Sequence, residues 1–422
     1  MDIAIIGSGI SGLTAAHHLD GRHDVTVFEA GSYVGGHTNT VHVETDRGAW
    51  DVDTGFIVCN DHTYPNFLAM MDELGVARRE THMGFSVTAQ DEDFEYAGTP
   101  RGLFCQPRNA VRPAFLRMIR DLLRFNRELT AIVADPTDAR GDLSLLEFLA
   151  RGGYSDSFRD RLIVPQASAV WSAEPEQLDA FPVRFMAQFF ANHGMLSFRN
   201  RPTWMTIEGG SQRYVEALTE RLARPVRIET PVTRVQRFDT HVEVTPQGGE
   251  PERFDEVLFA CHADQALRIL GADATETERE LLRCFPYQPN EAVLHTDEAM
   301  LPRRRAARQA WNFHLLGTPK DRATVTYGMN HLMGLDAPHE FCVTLNLTER
   351  IDPAKIIEVI DYAHPVFTTE GVAAQARHGE ISGRNRTHYA GAYWRWGFHE
   401  DGVFSALQAL EHVGRSEVVV PA

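Results

Sequence analysis

The residues best placed to do chemistry open the chain. The apolar run Ile3-Ala4-Ile5-Ile6 leads directly into Gly7-Ser8-Gly9-Ile10-Ser11-Gly12, and after a helical stretch Val25-Thr26-Val27-Phe28 ends on Glu29. The order predicts a strand, a tight glycine turn, a helix and a second parallel strand. Gly7 permits the turn, Gly9 lets backbone amides approach a pyrophosphate, and Gly12 lets the helix pack on the strand. Ser8, Ile10 and Ser11 complete the turn, whose amides sit at the positive end of the helix. Glu29, followed by Ala30, stands about twenty residues on, where a carboxylate accepts hydrogen bonds from ribose hydroxyls and disfavours a 2′-phosphate. A dinucleotide other than NADP is the expected ligand.

Just past the second strand the chain reads Gly35-Gly36-His37-Thr38. A paired glycine exceeds the minimal NAD fingerprint and suits a second backbone approach to a pyrophosphate and ribityl chain. The arrangement resembles the flavin-dependent amine oxidase superfamily, which includes monoamine oxidases, protoporphyrinogen oxidases and phytoene desaturases. That resemblance implies noncovalent FAD. It also implies an α/β fold: a Rossmann-like FAD-binding domain of the amine oxidase type with a discontinuous α+β substrate domain. His37 replaces the family's usual arginine, keeping a polar donor for ribityl or phosphate but losing a permanent charge. Asp53-Thr54-Gly55-Phe56 resembles the family's Asp-x-Gly segment near the flavin ring, with an ordinary Asp-Thr-Gly turn as the alternative. Val232 resembles the valine whose backbone recognises adenine, and Ala260 ends a strand where relatives pass the dinucleotide. In the family a carboxy-terminal strand and helix start supply the last flavin contacts; here these are Gly391, Ala392, Asp401, Gly402 and Val403. Gly402 takes the place of the glycine just before that helix, and Ala392 replaces a commonly acidic residue.

The likeness extends to a bacterial subgroup of amine-oxidase-like proteins through GGHTNTV, DTGFIVCNDHTYPN, AVWS, RPTWMTIEGGS, AVLHTD, WNFH and GAYWRWGFHEDG. Its members tend to be encoded beside cyclopropane-fatty-acid-synthase-like methyltransferases. This implies a fatty acyl chain of a lipid as substrate and a methyltransferase as partner.

At 422 residues, two intertwined domains are expected. Residues 1–75, 205–288 and 375–415 are assigned to the FAD-binding domain, and 76–204 and 289–374 to the substrate-binding domain. A hydrophobic share of 43% and a charged share of 23% are ordinary for a soluble chain, and a net charge of -17 argues against nucleic acid as partner. Five scattered cysteines without a CxxC pair support neither a zinc site nor a disulfide framework. No metal and a cytoplasmic location are expected, with no signal peptide in Met1 to Ala16. Apolar alternation predicts strands from Val226 to Ala260 and around Glu291 to Thr296, Ala323 to Met329 and Phe341 to Leu347, and a helix from Pro353 to Ala363.

Hydride transfer to a flavin asks the protein mainly for position and dryness, so catalytic side chains are underdetermined. Many amine oxidases place a lysine near the flavin on a strand aligning with Asn290 to His295; no lysine occurs there, and Asn290 is the nearest polar candidate. His399 and Glu400 are further acid/base candidates, with cap and turn roles as the alternative for Glu400 and Asp401. His193, His295 and His314 read as core histidines. Tyr393, Trp394, Trp396 and Phe398 form a substrate wall or a core cluster, and Trp171, Phe189, Phe190 and Phe198 could add apolar lining.

Within 101–129 seven arginines face only Asp121 and Glu128, a local charge of +5. The helix predicted from Pro113 to Leu129 carries Phe115, Met118, Ile119, Leu122 and Phe125 on one stripe and Arg117, Arg120, Arg124 and Arg127 on another. It either lies on an anionic membrane, at the inner face, or packs its apolar stripe on the core. Arg303, Arg304, Arg305 and Arg308 form a second basic cluster with the same two readings.

Overall fold

Alternation within the first strand sets the layers. In a computed structural model describing residues 1–171, 181–197, 201–317 and 322–415, Ile3 and Ile5 enter one core with Ala15, Ala16 and Leu19, while Ala4 and Ile6 enter another with Val235 and Val244. Parallel strands require burial on both faces, and the near-continuous apolar runs supply it. The parallel sheet has the order Thr387–Tyr389, Glu256–Phe259, Asp2–Ile6, Asp24–Phe28. Helices Ile10–Leu19 and His399–Leu410 pack together over one face. An antiparallel ribbon, Val232–Arg237, Val242–Pro246 and Glu252–Phe254, covers the other.

A buried polar network fixes the carboxy-terminal strand in this sheet. Arg237 Nη1 donates to Glu278 Oε1 at 2.6 Å, and the Tyr389 hydroxyl donates to the same oxygen at 2.7 Å. Burial alone would raise the Glu278 carboxyl, yet the adjacent guanidinium holds it below its ordinary value. Removing one partner of such a pair costs about 3–5 kcal/mol, because the other charge is left buried alone.

A second, seven-stranded sheet has the order Ile356–Pro365, Tyr287–His295, Cys342–Leu345, Val325–Gly328, Trp311–His314, Phe85–Ala89, Phe94–Ala97. Its first member corrects the helix expected from Pro353 to Ala363. A 3-10 turn, Pro353–Lys355, is followed by a strand paired with Tyr287–His295. Ile356, Ile357, Val359 and Ile360 explain the difference: β-branched side chains lose rotamer freedom in a helix and suit a pleated surface.

Helices Pro113–Ala134, Leu145–Arg151, Val164–Trp171 and Val183–Asn192 pack at the other edge of this sheet. Phe115, Met118 and Phe125 of the first are buried among Phe94, Tyr96 and Phe158, so the apolar stripe belongs to the core. In the second basic cluster Arg304 is paired to Glu95 and Asp93 at 3.1 Å each and Arg308 to Glu298 at 3.2 Å, while Arg303 and Arg305 are exposed. Phe198 lies outside the described residues. Among the described residues no helix is long and apolar enough to cross a membrane.

Candidate active site

The glycine turn shows which of its residues serve the fold and which serve a ligand. Gly7 has φ +106°, and a Cβ there would lie 2.7 Å from the Ala260 carbonyl oxygen. At Gly12 a Cβ would lie 2.0 Å from the Gly7 carbonyl oxygen, so close strand–helix packing demands glycine. Gly9 is different: a Cβ there meets nothing within 4 Å and its φ of -68° is ordinary. Its bareness leaves the amino end of helix Ile10–Leu19 uncovered. That end has no side-chain cap and no acidic residue in its first turn, so its free amides face the crevice.

The second glycine pair completes the cradle. A Cβ at Gly36 would lie 3.1 Å from the Gly9 Cα, and Gly35 N–H donates to the Ser8 carbonyl at 3.1 Å. Glu29 Oε2 accepts from the Ser8 amide (2.9 Å) and hydroxyl (2.6 Å), and Oε1 accepts from the Gly31 amide (2.7 Å). The loop thus orients the carboxylate at the rim, with one lone pair of Oε1 left for a ribose hydroxyl.

From this crevice a single cavity of about 1400 Å³ runs into the second sheet and its helices. Its crevice end is lined by Gly7, Ser8, Gly9, Ile10, Ser11, Glu29 and Ala30, with Gly35, Gly36, Val232 and Ala260. Leu122, Trp171, Phe189, Phe367, Trp396 and Phe398 line the far, apolar chamber. Thr54, Gly55 and Phe56 line the passage between, whereas Asp53 is turned away to accept from Thr40 and Ser211.

An imidazole and phenol belt also stands in that passage. The His37 ring stacks on Tyr362 at 5.0 Å and lies 5.2 Å from His364 and 6.4 Å from His262, which itself stacks on Tyr287 at 4.1 Å. Burial, then the neighbouring imidazoles, push His37 and His262 down to about 4 and His364 to about 3, so the belt is uncharged at neutral pH. His37 Nε2 is buried with no hydrogen-bond partner among the described residues, as is the Trp171 indole nitrogen. A glycine cradle at a helix end leading to a buried, unsatisfied donor or acceptor fits a dinucleotide with a polar ring at its far end.

Several expected site residues do not reach the cavity. Asn290 donates from Nδ2 to His364 Nδ1 at 2.9 Å and supports that ring from behind. Glu400 accepts from the Asn66 amide and side chain and from the Phe67 amide, capping helix Pro65–Leu74, so the acid/base expectation for it is corrected. Asp401 accepts from the Phe398 amide inside the first turn of its own helix, which begins at His399. Gly402 therefore lies within the helix, where a Cβ would press 2.6 Å from Ile10 Cγ2, and the position expected before the helix is corrected. Val403 packs in the core with Ile10 and Leu13. Trp394 turns inward against Phe285 (4.9 Å) and His378 (4.7 Å), while Tyr393 borders both the core and the cavity.

His399, Gly391 and Ala392 do line the cavity. The His399 ring stacks on Phe56 at 3.6 Å, and its Nε2 lies 2.8 Å from the Tyr214 hydroxyl and 3.0 Å from Thr38 Oγ1. Thr38 also bonds Tyr214, so it positions this imidazole from outside the cavity. Burial holds His399 well below its ordinary value and therefore neutral. His193 lines the chamber as well, whereas His295 and His314 bond Thr344 and Thr326 in the core. Sequence reasoning missed Tyr362 and His364, because the strand that delivers them read as a helix. The density of β-branched residues just before them was the available signal.

Comparison with known proteins accords with this geometry. A protein of Mycobacterium tuberculosis named as a flavin-containing monoamine oxidase, AofH, is 27% identical over 265 residues, covering 60% of this chain and 55% of that protein. The chain thus matches about half the length of that curated relative. Among solved structures, a fatty acid isomerase from P. acnes that produces CLA superposes with a TM-score of 0.69 at 19% identity, covering 97% of this chain and 98% of that one. A protein from Exiguobacterium sp. 255-15, described as a protoporphyrinogen oxidase, does so with a TM-score of 0.70 at 17% identity over 99% of each. These two share the fold. Residues 10–316 match the flavin-containing amine oxidoreductases, and with nearly three quarters of its length accounted for in this way the chain belongs to that family.

Proposed function

We propose that the protein is an FAD-dependent oxidoreductase that takes hydride from a hydrophobic substrate, an unsaturated or methylated fatty acyl chain of a lipid. The observation that carries this reading is the continuity of one cavity from a dinucleotide crevice to an apolar chamber. FAD, when bound, supplies the hydride-accepting chemistry. The chain contributes the rest. The amides at the start of helix Ile10–Leu19 hold phosphate, and Glu29 holds ribose. Neutral His37 offers Nε2 to a polar edge, with Tyr362 and His364 fixing its ring. Trp171, Phe189 and Phe398 exclude water and align an acyl chain, which lacks polar handles of its own. A cytoplasmic location accords with five cysteines that are all free.

Anaerobic mixing of the yellow protein with a phospholipid bearing unsaturated acyl chains tests the proposal. Lasting bleaching of the flavin with a more oxidised acyl product is expected; unchanged flavin and unchanged lipid would sink it. A second reading is a double-bond isomerase, favoured by the fold shared with the fatty acid isomerase over almost the whole chain. A shifted double bond with the flavin still oxidised would select it. Lipid altered only after addition of a lipid methyltransferase would instead mark an accessory subunit.

A further inference from the structure

The long arginine helix has two faces, and the outer one has no partner among the described residues. Arg112, just before its first residue, then Leu116, Arg120, Leu123 and Arg127 fall within a sector of about 80° around the helix axis. Leu116 is 45% exposed and Leu123 53%. Immediately upstream, Phe104 is 44% and Val111 78% exposed. Of twelve exposed large hydrophobic residues among the described ones, five fall between 104 and 133, so the exposure is concentrated here.

The arginines around these side chains are mostly uncompensated. Arg108 pairs with Asp93 at 2.8 Å, and Arg117 and Arg124 approach Asp121 at 3.9 and 3.6 Å. Arg101, Arg112, Arg120 and Arg127 have no ion pair among the described residues. The fold adds a further contribution, because helix Pro100–Leu103 packs on the 3-10 turn Arg305–Ala307, where a Cβ on Gly102 would lie 3.1 Å from the Ala306 carbonyl oxygen. Two basic stretches some two hundred residues apart in sequence therefore adjoin, placing exposed Arg303 and Arg305 beside Arg101.

We propose that this surface, formed by segment 101–112 and the outer face of helix Pro113–Ala134, docks on an anionic lipid bilayer. Cationic side chains meet the headgroup phosphates, and Phe104, Val111, Leu116 and Leu123 enter the boundary with the acyl chains. A basic surface on a protein of net charge -17 needs an anionic partner, and the exposed aliphatic side chains need hydrocarbon. A second copy fails the first need, because a two-fold contact would press one arginine row against its own image. Leu103 and Leu122 of the same segments line the inner cavity, so the docked surface lies directly over the apolar chamber. The docking holds independently of the reaction proposed above.

Flotation of the flavin-loaded 422-residue chain with vesicles tests the inference, without turnover as a readout. Co-flotation is expected with phosphatidylcholine vesicles containing phosphatidylglycerol, much less with phosphatidylcholine alone, and less again as salt rises. Leu116→Glu with Leu123→Glu, and separately Arg112→Glu with Arg120→Glu and Arg127→Glu, should each weaken binding by about tenfold or more. Both variants should keep their flavin absorbance and monodisperse elution, because none of the five side chains is buried. Failure of the wild-type protein to float, or variants that bind like wild type, would overturn the proposal. So would a self-association that Leu123→Glu abolishes in a protein that ignores vesicles.

Discussion

The dinucleotide crevice and the apolar chamber are two ends of one cavity built on opposite principles. The crevice is made of backbone: bare glycines, free amides and one carboxylate fixed by its own loop. The chamber is made of bulk, with Leu122, Trp171, Phe189, Phe367 and Trp396 arriving from unrelated stretches of chain. A site made of backbone tolerates few residue types at its positions, whereas a site made of apolar bulk tolerates many.

Acid should separate the two ends most strongly. The passage and chamber hold His37, His262, His364 and His193 at about 3 to 4 by burial, against 6.5 when unfolded. Between these values the unfolded chain binds more protons, so stability is full above pH 6.5 and falls as pH drops toward 4. Asp53 and Asp401, raised by burial to about 6 and about 7, pull the other way, but four histidines outnumber two carboxylates. Thermal denaturation from pH 7 to 5 should show a falling Tm, and a flat profile would mean that the histidine belt is wet.

Two glycine variants divide the crevice itself. Gly12→Val, forced against the Gly7 carbonyl, should cost about 3 kcal/mol or more and yield little folded protein. Gly9→Val should fold normally and elute colourless, because its side chain would fill only ligand space. Glu29→Ala should weaken FAD binding to the apoprotein by roughly 10- to 100-fold, read by flavin fluorescence, through loss of charged hydrogen bonds.

Leu122→Trp sharpens the contrast from the chamber end. Flavin content should stay unchanged while kcat/KM for a long-chain substrate drops about tenfold, a larger loss than for a short one. The smallest effect is expected for Glu400→Ala. Loss of its cap on helix Pro65–Leu74 should lower stability by about 1 kcal/mol and leave kcat within about twofold. A collapse of kcat with unchanged stability would restore Glu400 as an acid or base.

Legibility in the sequence followed the same division. Gly7, Gly9, Gly12 and Glu29 could be placed because the turn, the helix end and the second strand accept almost nothing else at that spacing. The belt was hidden. Tyr362 and His364 carry no motif, and Asp352-Pro353 followed by charged residues imitates a helix start. Helix Pro113–Ala134 was found, but its periodicity did not show that Phe115, Met118 and Phe125 face the core while Leu116 and Leu123 face out. A stripe of apolar residues reports that a face is covered, and tertiary packing decides by what. Gly402 misled for a related reason. Its bareness serves contact with Ile10 rather than a turn, and glycine leaves the same mark in sequence for both.

The order of strands in the parallel sheet bears on how the protein is made. Asp2–Ile6 finds one neighbour within thirty residues, but its other neighbour is Glu256–Phe259, and the sheet closes only with Thr387–Tyr389. At ribosomal speed roughly 20 to 80 seconds separate the first of these strands from the last. For that interval the nascent chain exposes an open apolar edge, a natural client for chaperones.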